Sequence, residues 1–584
     1  MSGQSAGSSR VDAATTNRMR IDYDVPIPMD DGVVLRADVY RPDEGRRYPV
    51  LLSYGPYGKG LPIQLGYPDQ WGALVRSFPE VAEGSSCRYA NWEVVDPEKW
   101  VPDGYVCVRV DSRGAGRSPG VLDVYSPRET RDLYQCIEWA AGQPWSSGKV
   151  GLSGISYYAI NQWLVAGLQP PHLAAMCAWE GAADYYRDFH RHGGILCTFT
   201  GSWFKAQVET VQHGVGVRGP VDPNSGLLVA GPETLAEHEL ARRRIDPMQQ
   251  ALVRVLDDPW YRERSADWSK VTVPFLSAGN WGGHGLHLRG NVEAFVRAAS
   301  RQKWLEIHGL EHWTHYYTHY GLDLQKRFFA HFLKGMDNGW DREPPVLLNI
   351  RRVDRFVLRR EQQWPLARTR WTPLYLNPAR RSLDWEPPAA GSEVTYRPLQ
   401  EGVTFRTPPF AQETEITGPM AAKLFIASAT IDADLFLVIR LFDPGGQEVT
   451  FAGAVEPRAP IAQGWLRASH RKLDRTLSTP YRPYHTHDEL QPLVPGAVYD
   501  VDVEIWPTSI VVPPGYVLTL TVQGKDFERE DTPAGLGPWR ALRGSGPFLH
   551  NHPWDRRPEI YGGAVTVYGG GTRSSFLLLP VIPG

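Results

Sequence analysis

The sequence predicts two joined units, an α/β sheet domain carrying an inserted helical cap and, behind it, a β-sandwich of jelly-roll type. Three observations predict this. The chain is 584 residues long, more than one hydrophobic core ordinarily serves. Its front half alternates short β-branched or apolar runs with helical patterns, which implies βαβ units and a mostly parallel sheet. Its rear half changes to short alternating runs broken by Pro and Gly, the texture of an all-β domain.

In the front half the strand-like runs are 33–40, 49–54, 105–110, 149–153 and 273–279. Between two of them, residues 129–142 place Leu133, Ile137 and Ala140 on one helical face, as a crossover helix would. Residues 187–268 break the rhythm with helical stretches at 232–244 and 247–257, and are expected to form the cap over the site. A helix over 322–334, stopped by Gly335, should close the sheet domain. From Pro344 onward the runs 346–353, 422–428, 435–442, 498–505 and 517–522 read as sandwich strands. The expected division is therefore a tail over 1–18, a sheet domain over 19–186 and 269–340, a cap over 187–268 and a jelly roll over 341–584.

Composition narrows the function. Hydrophobic residues make up 42% and charged residues 22% of the chain, ordinary globular usage. Sixty-two Lys and Arg against 65 Asp and Glu give a net charge of −3, which offers no global field for nucleic acid or an anionic membrane. No apolar run is long enough for a membrane span. The first 18 residues are small and polar without an apolar core, so they are read as a loose tail and the cytoplasm as the compartment. Cys87, Cys107, Cys136, Cys177 and Cys197 lack C-x-x-C spacing and are expected to be structural thiols. No cofactor and no metal is expected, and the oligomeric state is left open.

The chemistry concentrates in residues 149–163, KVGLSGISYYAINQW, where a strand runs directly into a helix with Gly154 two residues before Ser156. A strand-turn-helix elbow presents a nucleophile on strained backbone and aims the first helical amides at a developing oxyanion. Ser156 is thus the candidate nucleophile and the Tyr157 N–H one oxyanion donor. The G-x-S-x-G pattern is incomplete, since Tyr158 fills its last position. Ser153 also follows a glycine by two but sits within the strand, which makes it the poorer candidate.

Beyond this elbow the chain resembles the cocaine-esterase and X-prolyl dipeptidyl-peptidase-like family of α/β-hydrolases. The matching pieces are Asp31 to Leu35 with Tyr40-Arg-Pro42, Tyr54-Gly-Pro-Tyr57, Asp111-Ser-Arg-Gly114 with Gly116-Arg-Ser118, Glu138-Trp139 with Gln143-Pro-Trp145, Gly154 to Tyr157, Gly464 to Arg471 and the closing 574–583. The resemblance implies a serine hydrolase cleaving an ester or amide through an acyl-enzyme. It also implies that the Tyr57 hydroxyl completes the oxyanion hole. Ala159 stands where the family usually has glycine, a replacement small enough for close helix packing.

The general base should follow the last strand of the sheet domain, where His308, His312 and His315 compete. An ungapped comparison with the family turn favours His312, whose neutral imidazole would take the Ser156 proton. A metal reading of these histidines finds no H-E-x-x-H motif to support it. The family aspartate that orients the base has no counterpart, because Gly282 occupies its position. Glu180, at the end of the strand that follows the nucleophile helix, is the candidate acid, and Asp184 the second choice.

The expected substrate is a small ester or amide or a short peptide, with no nucleic-acid or membrane partner. Alternatives within the family are X-Pro dipeptidyl-peptidase and α-amino-ester acyl transfer. A reading from another class is a catalytically dead binding or scaffold protein, motivated by the missing aspartate.

Overall fold

The computed structural model describes residues 19–529 and 544–584; the expected tail at 1–18 lies outside the described residues. Ten strands build the first sheet: β1 (Met19–Pro28), β2 (Val34–Pro42), β3 (Tyr48–Gly55), β4 (Val106–Asp111), β5 (Ser146–Ile155), β6 (Leu173–Trp179), β7 (Phe275–Asn280), β8 (Lys303–His308), β9 (Val346–Arg351) and β10 (Phe356–Glu361). Their order across the sheet is β1-β2-β4-β3-β5-β6-β7-β8-β9-β10. From β4 through β9 all neighbours run parallel, while β1, β2 and β10 are antiparallel additions at the edges.

Parallel strands covered on both faces should be apolar along their length rather than alternating, and every residue of β4 and β7 is buried. Helices supply the cover. Pro127–Ala141 starts at Ser126, whose side chain accepts from Glu129 N, and it buries Leu133, Ile137 and Ala140 against the sheet. The helix behind the nucleophile, Tyr157–Ala166, is buried at all ten positions, so it is wedged into the centre of the domain. His319–Lys334 closes the layer and ends on Gly335 at φ 67°, a left-handed position that glycine adopts without strain.

The stretch between β6 and β7 folds as short helical turns, among them Phe199–Trp203, Glu237–Arg242, Pro247–Val253 and Pro259–Arg262, with a tight hairpin of Arg191–His192 and Ile195–Leu196. Two of the turns start in the same way, with Asp246 or Asp258 accepting first-turn amides ahead of a proline. The helices expected over 232–244 and 247–257 are shorter here, each interrupted before its last residues.

The second sheet has twelve strands and closes on itself, because Phe576–Ile582 pairs on one side with Arg370–Asn377 and on the other with Thr414–Ser428. It begins at Arg370. Residues 346–353, read from the sequence as the first jelly-roll strand, belong instead largely to β9, which pairs in parallel with β8. Strand pairing therefore carries the first sheet past residue 340, as far as Glu361. An alternating run reports that one strand exists but not which sheet receives it.

The two units share one apolar seam in which Leu305, Ile307 and Trp281 of the first meet Phe436, Trp465 and Trp506 of the second. Arg351 of β9 donates to Ser509 O and Ile461 O across it. Near the seam, Ala454 N donates to Gly282 O and His312 N to Ala454 O, so a loop of the β domain is built directly into the turns after β7 and β8.

Candidate active site

Ser156 stands at the carboxyl end of β5 with φ 54° and ψ −110°, a conformation that costs a non-glycine residue about 1–3 kcal/mol. The surroundings hold it there. Ser156 N donates to Trp179 O, Ile155 N to Glu93 O, and the Ala159 and Ile160 amides to Ser156 O. Gly154 is required because a Cβ there would overlap the Tyr158 side chain and press on the Glu93 carbonyl. Ala159 in turn faces Gly181, whose own added Cβ would stand 2.8 Å from the Ala159 methyl. With Gly181 opposite it, Ala159 lets helix and strand remain close. Ser156 is half-buried among fully buried neighbours.

The ring beside the serine is His287, whose Nε2 lies 3.1 Å from Ser156 Oγ. The sequence reading put His312 there. His312 instead holds Glu93, Nε2 to Oε1 at 2.9 Å, with its Nδ1 at 3.3 Å from Ala454 O. The two imidazoles are neighbours with ring centres 5.5 Å apart. The expected position of the base lay after β8. His287 comes from the turn after β7, immediately before the helix Leu288–Arg297, the same turn in which Gly282 replaces the family aspartate. The signal was present in Gly282-Gly-His-Gly-Leu-His287, a glycine-rich turn carrying two histidines at a strand end.

Glu180, expected to orient His312, lies elsewhere. Its Oε1 is 2.9 Å from His308 Nε2 and accepts from Asn280 Nδ2 at 3.1 Å, while Oε2 faces His287 Nδ1 at 3.7 Å. Both atoms of that last pair lack a hydrogen-bond partner among the described residues. His308 also touches Glu306, Nδ1 to Oε2 at 2.7 Å. A continuous row therefore runs from Glu306 through His308, Glu180 and His287 to Ser156.

Burial and charge tune this row. Burial favours the neutral His287 ring, with the nearby His312 charge a smaller cause, and together they hold its pKa well below 6.5. His308 resists burial through Glu306 and Glu180, which push it up to about 10. His312 is likewise raised against burial by Glu93, and Glu93 is itself raised, chiefly by burial. Burial takes His315 down to about 3, and its Nδ1 lies 3.5 Å from Thr318 Oγ1, away from the serine.

Tyr57 sits on the loop after β3. Its hydroxyl accepts from Trp203 Nε1 of the cap at 3.0 Å. An indole can only donate, so the phenolic proton is free to point at a substrate, and burial, above all, keeps that phenol protonated. The loop is fixed by Asp111, which accepts from Lys59 N at 2.6 Å and Arg117 N at 2.8 Å. Tyr157 contributes its N–H as the first amide of its helix, where no intrahelical acceptor exists. Its side chain is committed to Glu129, Oη to Oε2 at 2.6 Å.

The weaker candidates have structural partners. Ser153 is buried with its Oγ on Tyr316 Oη and Gln325 Oε1. Asp184 caps the turn Tyr185–His190 and pairs with Arg187. At Gly282 any side chain is excluded, since a Cβ would overlap the Gly453 backbone of the β domain.

Fold and site together define a serine hydrolase of the α/β type, with its reactive groups gathered at the carboxyl ends of a parallel sheet. Residues 31–317 match the family model of X-Pro dipeptidyl-peptidase of the S15 family, and residues 338–539 that of the X-Pro dipeptidyl-peptidase C-terminal non-catalytic domain. A CocE/NonD family hydrolase from Staphylococcus aureus superposes with a TM-score of 0.81 at 31% identity, covering 97% of this chain and 94% of that one. The chain belongs to the CocE/NonD family of hydrolases. Cocaine esterase of Rhodococcus sp. (strain MB1 Bresler) is 24% identical over 88% of this chain and 92% of its own length. An α-amino acid ester hydrolase shares the fold, with a TM-score of 0.66 at 16% identity over 100% of this chain and 99% of that one. No helix among the described residues is long and apolar enough to cross a membrane.

Proposed function

We propose that the protein hydrolyses a small carboxylic ester or amide, with Ser156 as nucleophile, His287 as general base and acid, and Glu180 as the carboxylate that orients and charges-balances the imidazole. The observation that carries this reading is the 3.1 Å approach of His287 Nε2 to Ser156 Oγ on a strained elbow. His287, neutral through burial, takes the Ser156 proton as Oγ attacks the carbonyl carbon. The imidazolium so formed is drawn toward Glu180 Oε2, closing the 3.7 Å gap. The Tyr57 O–H and Tyr157 N–H donate to the oxyanion, and the imidazolium returns its proton to the leaving group. Water then repeats the sequence on the acyl-enzyme.

Relatives include an esterase by name, and the site suits a neutral substrate. Trp92 stacks on Tyr67 at 4.1 Å and stands edge-on to His312, so one wall beside the histidines is aromatic. Glu180 Oε1 is held by His308 and Asn280, and Oε2 is turned toward His287 Nδ1 at 3.7 Å, the position of an orienting carboxylate. A dipeptidase reading would need Glu93, whose Oε2 is buried without a partner among the described residues. Turnover of p-nitrophenyl esters against X-Pro anilides separates the two: ester turnover lost in Ser156→Ala supports the reading, and cleavage of X-Pro anilides alone replaces it with the dipeptidase. Inactivity on both, with no serine labelling by a fluorophosphonate, returns the binding-protein alternative. The cytoplasm is the proposed compartment, in keeping with five cysteines that form no disulfide.

A further inference from the structure

At the junction of cap and β domain, outside the row that runs from Glu306 to Ser156, three buried side chains converge. His192 belongs to the hairpin Arg191–His192, Cys197 follows Ile195–Leu196, and His550 comes from the β domain. One ligand atom from each lies within 4.8 Å of the other two. None of the three is more than 1% exposed. The approach is built rather than incidental, because Thr198 N and Oγ1 both donate to Leu549 O, which sets Cys197 beside His550.

The hydrogen bonds around the two rings point to a cation. His550 Nδ1 lies 2.8 Å from Asp526 Oδ1, and His192 Nε2 lies 3.2 Å from the Asp188 carbonyl. Both outer nitrogens therefore face acceptor oxygens and are the natural places for the ring protons. The inner nitrogens, His192 Nδ1 and His550 Nε2, are 2.8 Å apart. With one proton on each ring already committed outward, two lone pairs face each other. A cation between them would answer both lone pairs, and Cys197 Sγ lies within 4.8 Å of each nitrogen. A histidine whose far nitrogen is held by a carboxylate or a carbonyl is also the usual arrangement around a bound metal.

We propose that His192 Nδ1, His550 Nε2 and Cys197 Sγ form a structural site for a borderline-soft divalent cation of the zinc type, stapling the cap to the β domain. Two imidazoles and a thiolate are donors that suit zinc. The Cys197 thiol loses its proton to solvent on binding, so the cation, thiolate and Asp526 carboxylate sum to no net charge in a buried place. At Zn–N of about 2.0–2.1 Å and Zn–S of about 2.3 Å, the two nitrogens move apart and the sulfur moves inward. Three protein donors leave the fourth position to water. His192 and Cys197 are close in sequence, but His550 is 358 residues from His192, so no spacing reports the set.

Such a buried ion enters during folding, so the test uses full-length protein expressed in medium supplemented with Zn2+ or Co2+. One zinc per chain is expected by elemental analysis. The cobalt form should show a thiolate-to-cobalt charge-transfer band that Cys197→Ser abolishes, and Asp526→Asn should weaken zinc retention about 10–100-fold against a chelator. Protein that folds with no stoichiometric zinc and no such band would overturn the proposal and leave a proton as the bridge between the rings. A band that survives in soluble Cys197→Ser would overturn it too. If that variant does not fold, the metal content and cobalt spectrum of the parent protein decide the matter alone.

Discussion

Replacing Glu180 by glutamine keeps the size of the side chain and its contacts to Asn280 and His308 while removing the charge that faces His287. In the resting site that charge acts on a neutral ring, so substrate binding should change little. In the transition state it acts on an imidazolium. Two unit charges at the observed 3.7 Å attract by about 4.5 kcal/mol at an effective dielectric of about 20, equivalent to roughly a thousandfold in rate. Part of this is returned, because His308 owes its charge to Glu306 and Glu180 and holds its proton less firmly once Glu180 is neutral, which relieves repulsion on His287. The expected loss in kcat is therefore about 10²–10³, somewhat below the 10⁴ seen when a triad carboxylate is neutralised elsewhere. Initial rates on a p-nitrophenyl ester, with KM and a circular dichroism spectrum for each variant, measure this directly. A folded Glu180→Gln enzyme within about threefold of the parent in kcat would refute the assignment of the carboxylate.

Three further outcomes follow from the same geometry. Tyr57→Phe should lower kcat by about 10²–10³ with little change in KM, because one oxyanion donor is lost; a rise in KM at constant kcat would show that the phenol only binds substrate. Gly282→Asp, which restores the family carboxylate, should destabilise the fold by about 3 kcal/mol or more by forcing side-chain atoms onto the Gly453 backbone, read as a drop in the urea midpoint; a stable and more active variant would contradict the packing. Because His287 is held below 6.5 in the folded protein, the acid limb of kcat/KM should fall below pH 6.5. The same depressed pKa contributes stability that is full above 6.5 and declines as pH falls toward the folded value, since the unfolded chain then binds the proton first. An acid limb centred above 6.5 would assign the base to a raised histidine such as His312.

Much of this molecule was legible because its signals are local. The elbow at Ser156 combines a strand, a required glycine and a helix within a dozen residues, and the helix 127–141 announces itself through Ser126, a proline and an apolar face. The loop of Tyr57 was reached through resemblance, and the structure adds the Trp203 contact that frees its proton. The site histidine was visible in its glycine-rich turn, but its pairing with the serine was not, for a physical reason. Several imidazoles reach this end of the sheet from two different strand ends, and which one meets the serine depends on packing across 131 residues of sequence separation. Glu93, 219 residues from His312, captures the ring that resemblance favoured, and no spacing reports such a pair. Gly282 shows the reverse case. Its missing carboxylate was visible in the sequence, but the cause, a β-domain loop occupying the space, needed both domains in place.

The most direct test of the account is pre-steady-state acylation of Ser156 in His287→Ala and His312→Ala, followed as the burst of p-nitrophenol and confirmed by mass spectrometry of the labelled serine peptide. The account predicts that the burst disappears in His287→Ala and persists in His312→Ala at a rate within about tenfold of the parent. A burst that survives loss of His287 and vanishes with loss of His312 would contradict it and return proton transfer to the turn after β8.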